Sequence, residues 1–476
     1  MLGVKVVDAT GVSVKRSVCG IALAAAVCAG FIFFVPEASL SYEGRAALGI
    51  MGALIVLVIT AALPLIVVAI LVMLLTFSLG VLTYDETWEA FGNYIIFLVI
   101  AMFGLCAALV KTTIPQRIIG LLVRWSGSDS KRLVFGFALA TTITSAFMSN
   151  ITACLIYMGL ALTLLAANGS DRPGESELGR ALFICIPACS CVGGVSTLSG
   201  NSYNVLAASL IQQQIGVDIS YLQWMVVGFP VALALSLVVA WWLCVVFKPE
   251  KISAEVADRL RDDVSRLGPL ASQEIKVLVI FGTMIVFWVA STWISWLNTN
   301  IVACVGLVVM FLPGVRVINE KEFLQSVPLD IIMFLGCSMA FMSGFMETDA
   351  TSWIMDFVFA NADSWPYLLV LSMVALVPII AHVLIQAGVV IIMLCMPPLI
   401  ALAMSCGIDP VVVAFVAALG GGVQFLLPID GIYLMTFGYR YYSAKDLLKF
   451  GFVPTLAMFA VCVAAVPTLV RFAMLL

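Results

Sequence analysis

Apolar runs long enough to cross a bilayer follow one another along almost the whole chain. They fall near 18–35, 46–62, 63–82, 93–110, 133–165, 181–213, 223–247, 277–297, 299–315, 328–346, 366–404, 410–438 and 450–470. A spanning helix needs about 20 apolar residues. In lipid every backbone N–H and C=O must be satisfied within the protein, which makes helices the solution for runs of this kind. Composition agrees: 63% of the 476 residues are hydrophobic, 11% are charged, and the mean hydropathy is +1.16. A soluble domain would carry about 25% charged residues. A net charge of −4, without a large Lys/Arg cluster, excludes a nucleic-acid partner. The pattern predicts an all-α polytopic membrane protein of the cytoplasmic membrane, surrounded by lipid. Lys15 and Arg16 precede the first run and Pro36-Glu37 follows it without a small-residue cleavage site, so 18–35 is expected to stay as the first transmembrane helix.

Two runs are too long for one crossing and carry polar residues at their centres: 133–165, broken at Ser149-Asn150, and 366–404, broken at Gln386-Ala387-Gly388. Lys and Arg mark cytoplasmic loops. If both long runs are hairpins that return to their starting side, the inside segments are the N-terminus, 111–132, 166–180, 248–276, 316–327 and 439–449. Of the 23 basic residues only Arg45 and Arg471 then fall outside. The expectation is therefore about 11 spanning helices and two re-entrant hairpins, with the N-terminus cytoplasmic and the C-terminus outside.

The chain also repeats itself. Each half has a hairpin, then a glycine segment (Gly193-Gly194; Gly420-Gly421-Gly422), then a similar string: Trp224-Met225-Val226-Val227-Gly228-Phe229-Pro230 and Leu448-Lys449-Phe450-Gly451-Phe452-Val453-Pro454. The hairpins enter from opposite sides, so the halves form an inverted repeat, as in many secondary transporters. The expected organisation is an N-terminal helix and loop (1–45), a first repeat (46–247) with hairpin 133–165, a cytoplasmic linker (248–276), and a second repeat (277–476) with hairpin 366–404.

Non-helical backbone at membrane depth is tolerated only where protein buries it or it lines a cavity. Four such places are visible: the first tip, Ser145 to Thr152; the first break, Ser196 to Asn204; the second tip, His382 to Val389; and the second break, Leu427-Pro428-Ile429-Asp430-Gly431. Hydroxyls, amides and freed carbonyls can replace the hydration shell of a small cation, and half-helix N-termini present N–H groups to an anion. An isolated Ser in a membrane helix is usually a packing residue. The dense run Ser196–Asn204, which includes Ser202 and Asn204, would be costly without a wet site. Cys185, Cys189 and Cys191 form C-x3-C-x-C, but no His or carboxylate lies near them in the sequence, so they read as small packing residues rather than metal ligands. No Lys or Arg lies within a predicted core span, so an anionic substrate would be neutralised by dipoles, amide and hydroxyl donors and a co-bound cation.

The motif order resembles the divalent anion/sodium symporter family from about residue 45 to the end. Ser149-Asn150-x-Thr152-Ala153 stands where that family has Ser-Asn-Thr-Ala-Thr. Gly193-Gly194-x-x-Thr197-x-x-Gly200-x-x-x-Asn204 stands where it has a Gly-Gly segment and a Thr-x-x-Gly-Thr-Pro-Pro-Asn break. Gln223-Trp224-Met225 with Gly228-Phe229-Pro230, and Pro328-Leu329-Asp330, add to the match. The resemblance implies an elevator-type homodimer carrying di- and tricarboxylates or sulfate, usually with sodium. It implies a sodium site from Ser145, Ser149, Asn150 and the backbone at Gly200, with Ser149, Asn150 and Thr152 near a substrate carboxylate. In the second half Ala387, Gly388 and Val389 replace the second Ser-Asn-Thr, and Pro428-Ile429-Asp430-Gly431 replaces the Ala-Thr-Pro-Pro-Asn break. The substrate candidates are therefore Ser149, Asn150, Thr152, Ser202, Asn204, Gln386, Gly388, Pro428 and Asp430.

Asp430 is the one carboxylate in a predicted core span; it can ligate sodium, carry a proton, repel a dianion, or serve as a hydrogen-bonded structural residue. His382, the only histidine, is a proton carrier or a packing residue. Tyr433, Tyr439, Tyr441 and Tyr442 read as an interfacial aromatic belt. The leading function is a sodium-coupled secondary transporter of a small anion. The rivals are proton-coupled transport or exchange through Asp430 and His382, sulfate or another anion as substrate, and a channel. A membrane hydrolase finds no H-E-x-x-H or Gly-x-Ser-x-Gly element, and no nucleotide-binding motif or organic cofactor is expected.

Overall fold

A computed structural model of the chain describes residues 14–92, 94–114, 117–118, 121, 125–170, 172–253, 268–294, 296–358, 365–385, 387–428 and 430–476. Among the described residues all regular structure is helical. In chain order the helices are α1 (Val14–Phe34), α2 (Tyr42–Thr60), α3 (Leu65–Ser78), α4 (Tyr84–Phe91), α5 (Tyr94–Val110), α6 (Ser130–Phe147), α7 (Asn150–Ala167), α8 (Glu177–Gly194), α9 (Ser202–Ile215), α10 (Tyr221–Val246), α11 (Ser272–Ala290), α12 (Thr299–Phe311), α13 (Glu320–Ser326), α14 (Leu329–Glu347), α15 (Ala350–Val358), α16 (Tyr367–Leu384), α17 (Gly388–Ser405), α18 (Pro410–Gly421), α19 (Gly431–Phe437), α20 (Ala444–Ala464) and α21 (Val466–Ala473). Among the described residues ten helices are long and apolar enough to span, three of them hairpin arms: α7, α16 and α17. The chain is an all-α polytopic membrane protein.

Each long run divides where its polar centre lies. The first splits between α6 and α7 at Met148-Ser149, the second between α16 and α17, and all four arms have 18 residues. Runs 181–213 and 410–438 are likewise each two helices, α8/α9 and α18/α19, separated at the expected breaks.

Among the described residues, several of the segments expected inside contact one another. Ser130, at the start of α6, donates to the Pro249 carbonyl at 2.9 Å, and the neighbouring Glu250 carboxylate accepts from Ser176 and, at 2.6 Å, from the Leu178 N–H. The Ser253 N–H reaches Asn168, just past α7, at 3.1 Å. Both ends of the first hairpin are thus tied to one short stretch, 249–253. Arg117 bonds the Gly268 and Pro269 carbonyls at 2.8 and 3.0 Å and pairs with Glu274 at 3.1 Å. Lys111 pairs with Glu322 at 2.8 Å. Of the expected linker, 254–267 lies outside the described residues.

Packing within the bundle is reciprocal between the halves. α8 packs on both arms of the first hairpin, and α18 on both arms of the second. α9 crosses to α17 and α18, while α19 crosses to α7 and α8. α3 lies on α14, and α5 on α12. α8 is almost wholly buried and α1 largely exposed, so α8 is a central helix and α1 a peripheral one. The small side chains of α8 make this approach possible. A Cβ on Gly193 would come within 2.3 Å of the Thr142 carbonyl oxygen on α6. Cys185, Cys189 and Cys191 are buried in this seam.

Candidate functional site

The first tip and the first break are stitched into one unit. α6 ends at Phe147, Met148 is extended, and Ser149 is the N-cap of α7 with no capping bond from its side chain. α8 ends at Gly194, and α9 restarts at Ser202. Ser145 Oγ donates to the Ser190 carbonyl at 2.7 Å, and Ser190 Oγ donates to the Asn150 carbonyl. Thr197 Oγ1 donates to the Ala146 carbonyl, and Ser199 Oγ reaches the same oxygen at 3.3 Å. The Tyr221 and Ser199 hydroxyls are 2.8 Å apart. Trp224 Nε1 donates to the Val195 carbonyl at 3.1 Å. Asn204 Nδ2 holds two carbonyls of the break, Gly194 and Thr197, each at 2.7 Å. Thus the freed backbone groups expected at a broken membrane helix are largely met by side chains, as lipid burial demands.

Two glycines let the break fold this tightly. A Cβ on Gly200 would sit 2.4 Å from the Gly194 carbonyl oxygen, and one on Gly228 would sit 2.7 Å from that of Ser196. Any side chain at either position pushes backbone against backbone.

Beside this unit lies a small cavity of about 30 Å³, lined by Ser149, Ser199, Gly200, Asn201 and Ser202, with Met102 of α5 across from them. It has room for about one water-sized occupant. Ser149, Gly200 and Ser202 of the predicted residues therefore come together. Asn150 is next to them: its Cβ is 3.4 Å from where a Cβ on Gly194 would stand. Ser145 is fully buried behind the tip, its hydroxyl hydrogen committed to Ser190. Thr152 is half-buried on the first turn of α7. Asn204 does not offer its amide hydrogens to a ligand, since both bind the break; its Oδ1 is buried without a hydrogen-bond partner. A second, larger cavity of about 710 Å³, with mixed polar and apolar walls, shares Leu198 and Val205 with the first and opens among Gln212, Asp218, Gln223 and Asn298. The sequence reading did not anticipate this cavity, because its walls come from α5, α9, α10, α12 and the loops between distant helices.

The second tip and break are built differently. Gln386 lies outside the described residues, as does Ile429. Asp430 is the N-cap of α19, and its Oδ1 accepts from the Ile432 N–H at 3.0 Å. His382, in the last turn of α16, is 2% exposed; its Nε2 stands 3.6 Å from Asp430 Oδ2, and among the described residues neither ring nitrogen has a hydrogen bond. Pro428 is half-buried beside them. Gln424 Nε2 donates to the Leu427 carbonyl at 2.6 Å.

Gly388 is filled from the other half. The Tyr203 ring lies 3.1 Å from where a Cβ on Gly388 would be, and the Tyr203 hydroxyl donates to the Gly422 carbonyl at 2.8 Å. Tyr203 thus joins the second tip to the second break. Its signal in the sequence is its position inside the polar run Ser196–Asn204.

The aromatic-belt expectation is corrected. Tyr433, Tyr441 and Tyr442 are buried, and only Tyr439 is exposed. Tyr441 stacks on Phe183 of α8 with centroids 4.3 Å apart, and Tyr442 is hydrogen-bonded to Thr436 at 2.9 Å. The second break is the reason: it leaves α19 only seven residues long and turns this stretch back onto α8.

Comparison with known proteins follows the same outline. Over 437 residues the chain is 25% identical to the sodium-dependent dicarboxylate transporter SdcS of Staphylococcus saprophyticus, covering 87% of this chain and 83% of that protein. The SdcS of Staphylococcus aureus is 23% identical over 444 residues, covering 88% and 85%. A membrane protein of Cupriavidus necator is 23% identical, covering 78% of this chain and 73% of its own. In fold, the chain is similar to the crystal structure of the Alcanivorax borkumensis YdaH transporter, with a TM-score of 0.57 at 12% identity, covering 96% of this chain and 98% of that one. The resemblance to divalent anion/sodium symporters is borne out. The model of the citrate transporter family (CitMHS) matches residues 55–420, most of the chain, and the protein is a member of that family.

Proposed function

We propose that the protein is a secondary active transporter that moves a di- or tricarboxylate across the cytoplasmic membrane, coupled to sodium. The observation that carries this is the first tip–break unit. Ser149, Ser199, Gly200, Asn201 and Ser202 form the polar side of a cavity the size of one water or one bare cation, whose other side is apolar and comes largely from α5, and Ser145 and Asn150 brace the polar side. Sodium there offsets substrate charge that no buried Lys or Arg meets. The N–H groups at the starts of α7, α9 and α17 then face the carboxylates. Ser149, Asn150, Thr152, Ser202, Gly388, Pro428 and Asp430 are the substrate candidates; Gln386 joins them from the sequence alone. Asn204 acts by holding the break.

The reciprocal packing of the two halves supports an inverted repeat of 46–247 and 277–476, preceded by 1–45 and joined by 248–276. The shared anchoring of both ends of hairpin 133–165 supports a re-entrant reading. Such a repeat, rocking as an elevator within a homodimer, gives alternating access without a continuous pore. The N-terminus is cytoplasmic and the C-terminus outside. The names of the SdcS relatives favour sodium and a dicarboxylate over sulfate.

Uptake of labelled citrate and succinate into proteoliposomes tests the reading. An inward sodium gradient accelerates uptake of at least one of them, and unlabelled substrate inside produces counterflow. Equal uptake with choline in place of sodium would contradict sodium coupling, and a lack of counterflow would point to a channel.

A further inference from the structure

The larger cavity and the small one at the first tip lie on a single track. On α9, Ser202 and Val205 line the small cavity, and Val205, Ala208, Ser209 and Gln212 line the large one. Residues three and four apart share a helix face, so one face of α9 runs about 15 Å from the first break to the far end of the large cavity. The facing helix repeats the arrangement: Met102 and Cys106 of α5 line the small cavity, Tyr94 and Leu98 the large one. The Tyr94 hydroxyl donates to Gln212 Oε1 at 2.9 Å and joins the two faces at the far end. Leu198 and Val205, both buried, line both cavities and form the boundary between them. Asp218 and Asn298, at the mouth, are exposed. Both lie between apolar runs on the side expected to be outside.

This track selects by charge rather than by size. At about 710 Å³ the large cavity has room for a hydrated cation or for a small carboxylate anion. Its polar side chains are amides and hydroxyls, such as Gln223, Thr292 and Asn298. Among the described residues that line it, Asp218 is the one charged side chain, and none is Lys, Arg or His. The segments expected outside (36–45, 83–92, 214–222, 347–365, 405–409 and 471–476) continue the pattern. They hold eleven Asp and Glu against two bases, Arg45 and Arg471, and Arg45 is itself paired with Glu37. A cleft under charge of one sign concentrates counter-ions and speeds their arrival by about 10–1,000-fold. Cations are drawn in and a dianion is repelled. The small cavity, at about 30 Å³, takes an ion only without its water shell. Water is therefore shed at Leu198 and Val205, where Ser199 and Ser202 of the polar side stand ready to replace it.

We propose that the large cavity is an outer entry for the cation alone: sodium reaches the first tip through it, between Leu198 and Val205, and the carboxylate substrate enters by another route. This rests on the transport reading above and on its sidedness.

Ala208→Cys puts a thiol on the wall without removing a hydrogen bond, since Ala208 is partly exposed and lines the cavity. Full-length protein is treated with a trimethylammonium-ethyl methanethiosulfonate or with its anionic sulfonate counterpart, and modification at position 208 is followed by peptide mass spectrometry. After correction for each reagent's rate with a free thiol, the cationic reagent should react at least tenfold faster, and Asp218→Asn should reduce that preference at least threefold. Equal rates, a faster anionic reagent, or no reaction with either overturns the proposal. The second measurement is initial uptake of labelled succinate and citrate into proteoliposomes, before and after complete external modification with the cationic reagent. The fixed positive charge should raise the half-saturating external sodium concentration at least tenfold. At saturating sodium, the half-saturating substrate concentration should stay within threefold. Sodium dependence unchanged by modification, or a parallel rise for sodium and substrate, overturns the proposal and leaves the transport reading intact. No sodium-driven uptake before modification overturns both.

Discussion

Asn204→Leu is the most informative single change in the first unit. The side chains are of similar size, so the substitution removes two hydrogen bonds without opening a cavity. Both bonds are 2.7 Å, to the Gly194 and Thr197 carbonyls. Thr197 keeps a substitute donor, the Gly200 N–H at 3.2 Å, whereas among the described residues no second donor reaches the Gly194 carbonyl. The first loss costs about 1 kcal/mol, and the bare buried carbonyl about 1–3 kcal/mol. The sum, about 2–4 kcal/mol, corresponds to a factor of roughly 30–700 in an equilibrium constant. If this cost falls on the ordering of 195–201, the loop that supplies Gly200 to the cavity, the sodium concentration for half-maximal uptake rises by up to that factor. The assay is initial uptake against sodium concentration, with the variant first shown to be monodisperse in detergent. A half-saturating sodium concentration within threefold of wild type would refute the view that Asn204 orders the cation site.

Other predictions follow from single contacts. Tyr203→Phe leaves the Gly422 carbonyl without its 2.8 Å donor, destabilising the second junction by about 1–3 kcal/mol; thermal aggregation in detergent should be faster than in wild type. Gly451→Ala forces a Cβ to within 2.2 Å of the Phe425 carbonyl oxygen, while Gly30→Ala meets nothing within 4 Å; the first should abolish the monodisperse protein and the second leave its yield unchanged. Partial burial raises the Glu250 pKa, but hydrogen bonds from Ser176 and the Leu178 N–H outweigh this and hold it below the usual carboxylate range. Its contribution to stability is therefore present above an unfolded value of about 4.3 and lost as pH falls through the lower folded value. The melting difference between wild type and Glu250→Gln, measured from pH 7 to pH 3, should be largest near neutrality and close at the acidic end.

The membrane architecture was legible because apolar length and loop charge act along the chain. The tips and breaks were legible for a related reason: polar residues such as Ser149, Asn150 and Asn204 are too costly in lipid to sit within an apolar run by accident. What could not be read was which partners these residues meet. Tyr203 sits on Gly388 of the other half, and Tyr441 stacks on Phe183. An aromatic at a membrane edge and an aromatic inside a bundle look alike in sequence, so the interfacial reading of Tyr433, Tyr441 and Tyr442 failed when the second break folded them inward. His382 and Asp430 were each visible as intramembrane ionisable residues, but their pairing depends on how α16 meets α19. The doubled duty of Asn204, an amide committed to two carbonyls, is likewise a property of the folded break and not of its composition.

Binding of ²²Na⁺ to the purified protein tests the account most directly, because it requires no knowledge of the substrate. The account predicts saturable binding that unlabelled sodium displaces and potassium does not, lost in Asn150→Ala and Ser149→Ala. Saturable sodium binding that survives both substitutions, or no saturable binding in the wild type, would contradict a cation site at the first tip and break.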